Sequence, residues 1–174
     1  MKVLIVIPQK KFNNTEFKTV IEILKRNDIP FDIASNSKSM AYGYSTFSIK
    51  PDISLKKIRI PDYDCVVIIG GSGCKQYLWE NPILHEILIE ANKEKKLIAA
   101  ICLAPICLIN SGVIKKSSLT ASKTRETLKL IQESQNKYSE QDVCVKGNII
   151  TAKGPKVSKE FAEAIINILK QSFI

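Results

Sequence analysis

A chain of 174 residues, 45% hydrophobic and 25% charged, is long enough for one domain with a core of its own and has the composition of an ordinary globular protein. No apolar run reaches the length of a membrane span, and the apolar start is too short for a signal peptide and lacks its small-residue cleavage site, so a cytoplasmic protein is expected. The net charge of +9 comes mostly from scattered lysines. Without a helix-turn-helix, an aromatic platform or an arginine cluster, that charge reads as a solvated surface, and nucleic acid is not expected as a partner.

Residues 2–7 read as a buried strand and Gln9 to Asn14 as a polar loop. Glu16 to Asn27 places Phe17, Val20, Ile21 and Leu24 at helical spacing, and Asn13 or Asn14 can cap that helix. Ile29 to Ala34 is a second strand, which completes a β-α-β unit. Tyr42 to Ile49 reads as a strand or hairpin, and Lys50-Pro51-Asp52 as a turn. Asp64 to Ile69 is a third buried strand, ending in Gly70-Gly71-Ser72-Gly73. Asn81 to Asn92 is a helix with Pro82 in its first turn, where the missing N–H costs nothing. Residues 97–101 are a strand buried on both faces, and Pro105 to Ile109 a helix closed by Gly112. Leu119 to Ala121 reads as a short strand, Thr124 to Gln135 as a weak helix, and Val143–Val145 with Asn148–Ala152 as a hairpin around Lys146-Gly147. Ser158 to Lys170 is the last helix. Strands alternating with helices predict an α/β sandwich over residues 1–174, with a mainly parallel central sheet. In such sheets the site lies at the C-terminal ends of the strands, and three segments converge there: the one before Glu16, the glycines after Ile69, and Cys102.

Cys102 falls at a sharp strand-to-helix turn, the arrangement of a nucleophile elbow with sulfur in place of the serine oxygen. Free N–H groups at the start of the next helix favour a thiolate there, although a free cysteine is also a common buried small hydrophobe. Five cysteines with no CxxC pair argue against a disulfide framework or a structural zinc site, so no metal is expected. Gly70-Gly71-Ser72-Gly73 is not a dinucleotide motif, because Gln76 stands at the place of the third glycine, and no GK[ST] follows to make a P-loop. No cofactor is therefore expected. The glycines either make a tight turn or, with Leu103, supply backbone donors: the Gly71 and Leu103 N–H groups could form an oxyanion site beside the sulfur. Glu16 is either a dipole-stabilising or capping carboxylate in its helix or a proton-transfer partner of Cys102. His85, the single histidine, reads as a helix surface position more readily than as a catalytic group.

The run Ala99-Ala100-Ile101-Cys102-x-Ala104-Pro105, with Gly70-Gly71 before it and Glu16 near the start, resembles the ThiJ/PfpI superfamily. The closer likeness is to the Parkinson-disease-protein (DJ-one) branch and its bacterial members. Tyr63-Asp64-Cys65-Val66-Val67 is similar to that branch's YDxVV strand, and Ala152-Lys153-Gly154-Pro155 with Glu160-Phe161-Ala162 to its RGP…EFA segment. The resemblance implies a flavodoxin-like three-layer sandwich, a homodimer, and four site residues: Glu16 as carboxyl partner, Gly71 and Leu103 as donors, Cys102 as nucleophile. It also implies glyoxalase or deglycase chemistry on a small carbonyl substrate or a glycated protein, or else a redox-sensing, chaperone-like role through oxidation of Cys102. A peptidase is disfavoured, because Leu103 replaces the histidine that follows the cysteine in protease-like members. Ser122 stands where the DJ-one branch has a histidine, and the branch's extra C-terminal helix is not expected within this chain.

Overall fold

The computed structural model describes residues 1–171. Strand β1 (Val3–Val6) leads through β2 (Lys10–Phe12) into helix α1 (Asn14–Arg26), followed by β3 (Phe31–Ser35). Strands β4 (Ala41–Gly43) and β5 (Ser48–Ile49) form the hairpin, and β6 (Ile53–Ser54) follows. Next come β7 (Cys65–Ile68), α2 (Cys74–Tyr77), α3 (Pro82–Lys93), β8 (Leu97–Ile101) and α4 (Pro105–Asn110). The chain continues through β9 (Ser118–Leu119), α5 (Arg125–Glu133), β10 (Lys137–Tyr138), the hairpin of β11 (Val143–Lys146) and β12 (Ile149–Ala152), and α6 (Ser158–Gln171).

Seven strands make the central sheet in the order β11-β12-β8-β7-β1-β3-β6. Every pairing in it is parallel except β11 with β12. Within it, β3-β1-β7-β8-β12 runs second, first, third, fourth and fifth in chain order, the doubly wound order of flavodoxin. Alternate residues face opposite layers, as a two-residue pleat requires. Leu4, Val6, Val66, Ile68, Ile98 and Ala100 pack towards α3 and α4. Val3, Ile5, Val67, Ala99 and Ile101 pack towards α1 and α6, which also pack on each other. These strands are buried along their whole length, which is why they read as continuous apolar runs.

Two expectations need correction. Residues 9–14 are not simply a loop: Lys10–Phe12 pairs with β4 in a separate three-stranded sheet, β2-β4-β5. The two lysines hide a strand whose anchor is Phe12, fully buried against the rings of Phe17 and Phe47 with centroids 5.3 and 5.8 Å away. The strand expected at 119–121 is only Ser118–Leu119 and pairs with β10, off the central sheet. On the side away from β10, the Thr120 N–H is taken by the Thr151 hydroxyl, 3.0 Å away, and not by a backbone carbonyl of the central sheet. The short elements β6, α2 and β10 were not expected, while the other expected elements stand within a few residues of their expected ends. Asn13 caps α1, its side chain accepting from the N–H groups of Thr15 and Glu16 at 3.0 and 3.2 Å. Gly112 follows α4 with φ +75°, as a C-terminal glycine should.

Candidate functional site

In open α/β sheets ligands bind where the strand order reverses, outside the carboxyl ends of the strands. Here the reversal lies between β1 and β7. The segment after β1 carries Glu16, the segment after β7 carries Gly70 and Gly71, and β8, next to β7, ends at Cys102.

Cys102 joins β8 to α4 with φ +66°, a left-handed conformation that a non-glycine residue adopts only when its surroundings impose it. Here the backbone is fixed on both sides. Its N–H donates to Ala152 O at 2.9 Å, and its carbonyl accepts from Ser122 N–H at 2.7 Å. The Gly71 and Leu103 N–H groups donate to its sulfur. Of the five free cysteines it is the single one not fully buried. Burial pushes the thiols of Cys65, Cys74 and Cys107 well up, which leaves them inert.

Glu16 is fully buried, although it sits in the first turn of a helix. It does not return a bond to its own cap: the Asn13 N–H donates to Gly70 O at 2.9 Å instead. Glu16 Oε2 accepts from Gly70 N–H at 2.8 Å. Its Oε1 is buried without a partner of ordinary hydrogen-bond geometry, and the Cys102 thiol lies within reach of the carboxyl group. Gly70 is the spacer between the two. A Cβ there would lie 2.5 Å from Cys102 Cβ and 2.7 Å from Glu16 Oε2, so no side chain fits. Gly71, at φ +117°, is pressed against the Lys11 carbonyl and takes a conformation that glycine alone adopts easily.

Burial raises the Glu16 carboxyl to about 7, against the lowering effect of the Gly70 and Cys102 hydrogen bonds. Burial first, and the neighbouring Glu16 charge second, push the Cys102 thiol up to about 12, against the two amide donors. The amide donors expected from the sequence are present, but burial first and the Glu16 charge second outweigh them. Two anions cannot share this pocket cheaply, so the shifts belong to the pair: it gives up one proton near neutrality and holds the second far into the alkaline range.

The four residues singled out in the sequence are thus brought together. His85 is not among them. Its Nε2 lies 2.8 Å from the carbonyl of Trp79, an acceptor, so Nε2 carries the proton. That same carbonyl takes Asn110 Nδ2 at 3.0 Å, while Trp79 Nε1 donates to Leu103 O at 2.8 Å. His85 therefore braces the Trp79 turn, which braces Leu103. Ser122 does meet Cys102, but through its backbone. The sequence pointed to Gly70 and Gly154 without their roles here: Gly70 donates to Glu16 and leaves no room for a side chain, and a Cβ on Gly154 would lie 3.9 Å from the sulfur. The sequence reading missed Tyr44, which reaches the glycine turn across 28 residues and leaves no local signal. Among the described residues no group of three or more His, Cys, Asp or Glu side chains could hold a metal ion, and no helix is long and apolar enough to cross a membrane.

The chain itself has known relatives. The sequence profile of the DJ-1/PfpI family matches residues 1–168. An uncharacterized protein of Methanocaldococcus jannaschii is 30% identical over 171 residues, covering 98% of this chain and 83% of that protein. The glutathione-independent glyoxalase DJR-1.2 of Caenorhabditis elegans is 28% identical over 96% of this chain and 88% of its own length. The crystal structure of a ThiJ/PfpI domain protein from Brachyspira murdochii superposes with a TM-score of 0.92 over 98% of this chain and 96% of that one, at 23% identity, which speaks for the fold alone.

Proposed function

The chain belongs to the DJ-1/PfpI family, and from that premise we propose that it is a cofactor-independent enzyme acting on reactive carbonyls or glycated groups through Cys102 and Glu16. The observation that carries this reading is the buried carboxyl of Glu16 facing a sulfur that already receives two backbone N–H groups. The relative named as a glutathione-independent glyoxalase supports it. The two shifts leave the pair's single proton on sulfur; its transfer to Glu16 gives the attacking thiolate, which the two amides stabilise. The thiolate attacks the aldehyde carbon of an α-oxoaldehyde to give a hemithioacetal. The Gly71 and Leu103 N–H groups stabilise the alkoxide, which takes the proton from Glu16 and leaves a carboxylate able to act as base. Glu16 moves the substrate's C–H proton to the neighbouring carbonyl carbon through an enediol. The thioester that results is hydrolysed by water, so methylglyoxal plus water becomes lactate with no external oxidant. In deglycation the same sulfur would attack the carbinol carbon of a hemiaminal adduct as its C–N bond breaks, the amine leaving with the proton from Glu16 and the same hemithioacetal remaining.

Loss of methylglyoxal and formation of lactate should be measured with wild type, Cys102→Ala and Glu16→Gln. Both variants are expected to lose activity by at least about a hundredfold, the usual scale for a missing acid–base group. Equal rates in all three would end the proposal.

A second reading rests on Glu16 Oε1, buried without an ordinary partner beside the thiol. Such a carboxyl group can hydrogen-bond a sulfinate, so oxidation of Cys102 without turnover would make the protein a redox sensor. Peroxide titration followed by intact mass decides it. A species two oxygens heavier at Cys102, in a protein with no carbonyl turnover, selects the sensor.

A further inference from the structure

The hairpin of β4 and β5 lies outside the central sheet, yet its turn is fastened to the site at two points. The Asn14 side chain grips the backbone of Tyr44 from both sides: Oδ1 accepts from Tyr44 N–H and Nδ2 donates to Tyr44 O, each at 2.9 Å. The Tyr44 hydroxyl oxygen then accepts from Ser72 N–H at 2.8 Å. Asn14 opens the helix that carries Glu16, and Ser72 follows Gly71, whose N–H donates to the Cys102 sulfur. The first turn of α1 therefore grips the glycine segment twice: through Glu16 on Gly70 N–H, and through Asn14 and Tyr44 on Ser72 N–H. Tyr44 is itself exposed, so core packing does not explain its placement.

We infer that Tyr44 is a positioning residue: its hydroxyl orients the Gly71–Ser72 backbone so that the Gly71 N–H is aimed at the Cys102 sulfur and at the oxygen that forms beside it. A peptide N–H is oriented by what its neighbours bond to, and Gly71, at φ +117°, has no side chain to lock it. The Gly71 N–H belongs to the Gly70–Gly71 peptide, whose carbonyl accepts from Asn13 N–H, and the next peptide is held by Tyr44 on Ser72 N–H and by Cys74 N–H on Gly71 O. Gly71 is held between these two peptides, so removing the Tyr44 anchor lets it relax from φ +117° and weakens a donor that favours charge on sulfur. The role rests on the proposed reading for its effect on turnover, but its effect on the thiol does not.

The test is Tyr44→Phe, which keeps the ring and deletes the acceptor, with Tyr42→Phe in the same hairpin as the control. Labelling of Cys102 by iodoacetamide is followed against pH and mapped by mass. In Tyr44→Phe the labelling midpoint should rise by about half to one unit, with labelling at neutral pH about three- to tenfold slower, the worth of one ordinary hydrogen bond. Tyr42→Phe should change nothing, and the melting temperature of Tyr44→Phe should stay within about 2 °C of wild type. If carbonyl turnover is present, its loss should fall on kcat and leave KM unchanged. Asn14→Ala, which frees the Tyr44 backbone, should move the labelling midpoint the same way. An unchanged midpoint in both Tyr44→Phe and Asn14→Ala overturns the inference. Absence of turnover in wild type, with the midpoint shifted as expected, would sink the enzymatic proposal and leave Tyr44's role standing.

Discussion

At the scale of single residues, the question is which atom of the Glu16–Cys102 pair carries the charge at neutral pH. If the remaining proton sits on Glu16, the carboxyl group donates to a thiolate, and Glu16→Leu removes a charge-assisted hydrogen bond of roughly 1.5–3 kcal/mol. The thiol labelling midpoint should then rise by about one to two units. If the carboxylate keeps the charge, the wild-type midpoint is already high, and Glu16→Leu should lower it by removing that repulsion. The direction of the shift decides between a pair poised for attack and a resting acid. Glu16 also makes a prediction about stability. Its folded value of about 7 exceeds the ordinary 4.5, so the native state holds an extra proton between those pH values. Its contribution is complete below pH 4.5 and is lost as pH rises to about 7, by about 3 kcal/mol. Urea unfolding of wild type minus Glu16→Gln should show this downward slope across that window. A flat difference would mean that Glu16 titrates normally.

At the scale of elements, two helices begin in the same way and differ only in what they serve. Asn13 caps α1 by accepting from Thr15 and Glu16 N–H, and Asn81 caps α3 by accepting from Ile83 and Leu84 N–H. Asn13→Ala and Asn81→Ala should each cost about 1 kcal/mol in urea unfolding. Only Asn13→Ala should also shift the Cys102 labelling midpoint, because its helix start carries Glu16 and its N–H holds the Gly70 carbonyl. Equal effects on the midpoint would make α1 a scaffold like any other. The α1 cap was legible in the sequence as Asn13 or Asn14 and the start of α3 as Asn81-Pro82, as were the apolar runs of β1, β7 and β8 and the turn at Cys102, because each signal lies within a few neighbouring residues. Strand β2 was not legible. Three residues are too few for an alternating pattern, two of them are lysines, and its partner β4 lies about thirty residues away. The same limit hid Tyr44, whose contacts with Asn14 and Ser72 cross 30 and 28 residues.

At the scale of the whole molecule, the site is held by parts of unequal stability. Cys102 leaves a strand buried on both faces, and Gly70 leaves another; Glu16 is on a helix packed against α6 and the sheet. The opposing grip, through Tyr44, hangs on a small sheet of three-, three- and two-residue strands. It is anchored to the core mainly by Phe12, with Phe47 half-buried beside it. Local opening costs least where few apolar contacts must break. Native-state hydrogen exchange should therefore find the amides of residues 3–6, 65–68 and 97–101 opening only with global unfolding. Tyr42 and Gly43, although bonded to the carbonyls of Gln9 and Phe47, should exchange at least about tenfold faster, through an opening at least about 1.4 kcal/mol cheaper. The sulfur and carboxyl would then stay fixed while the Tyr44 grip on the glycine turn opens and closes above them. Truncating the anchor with Phe12→Ala should widen this difference and slow Cys102 labelling at neutral pH in the sense of Tyr44→Phe. Equal protection across both sheets would instead make the hairpin part of the same cooperative unit, with the donor geometry at Gly71 as rigid as the core that carries Cys102.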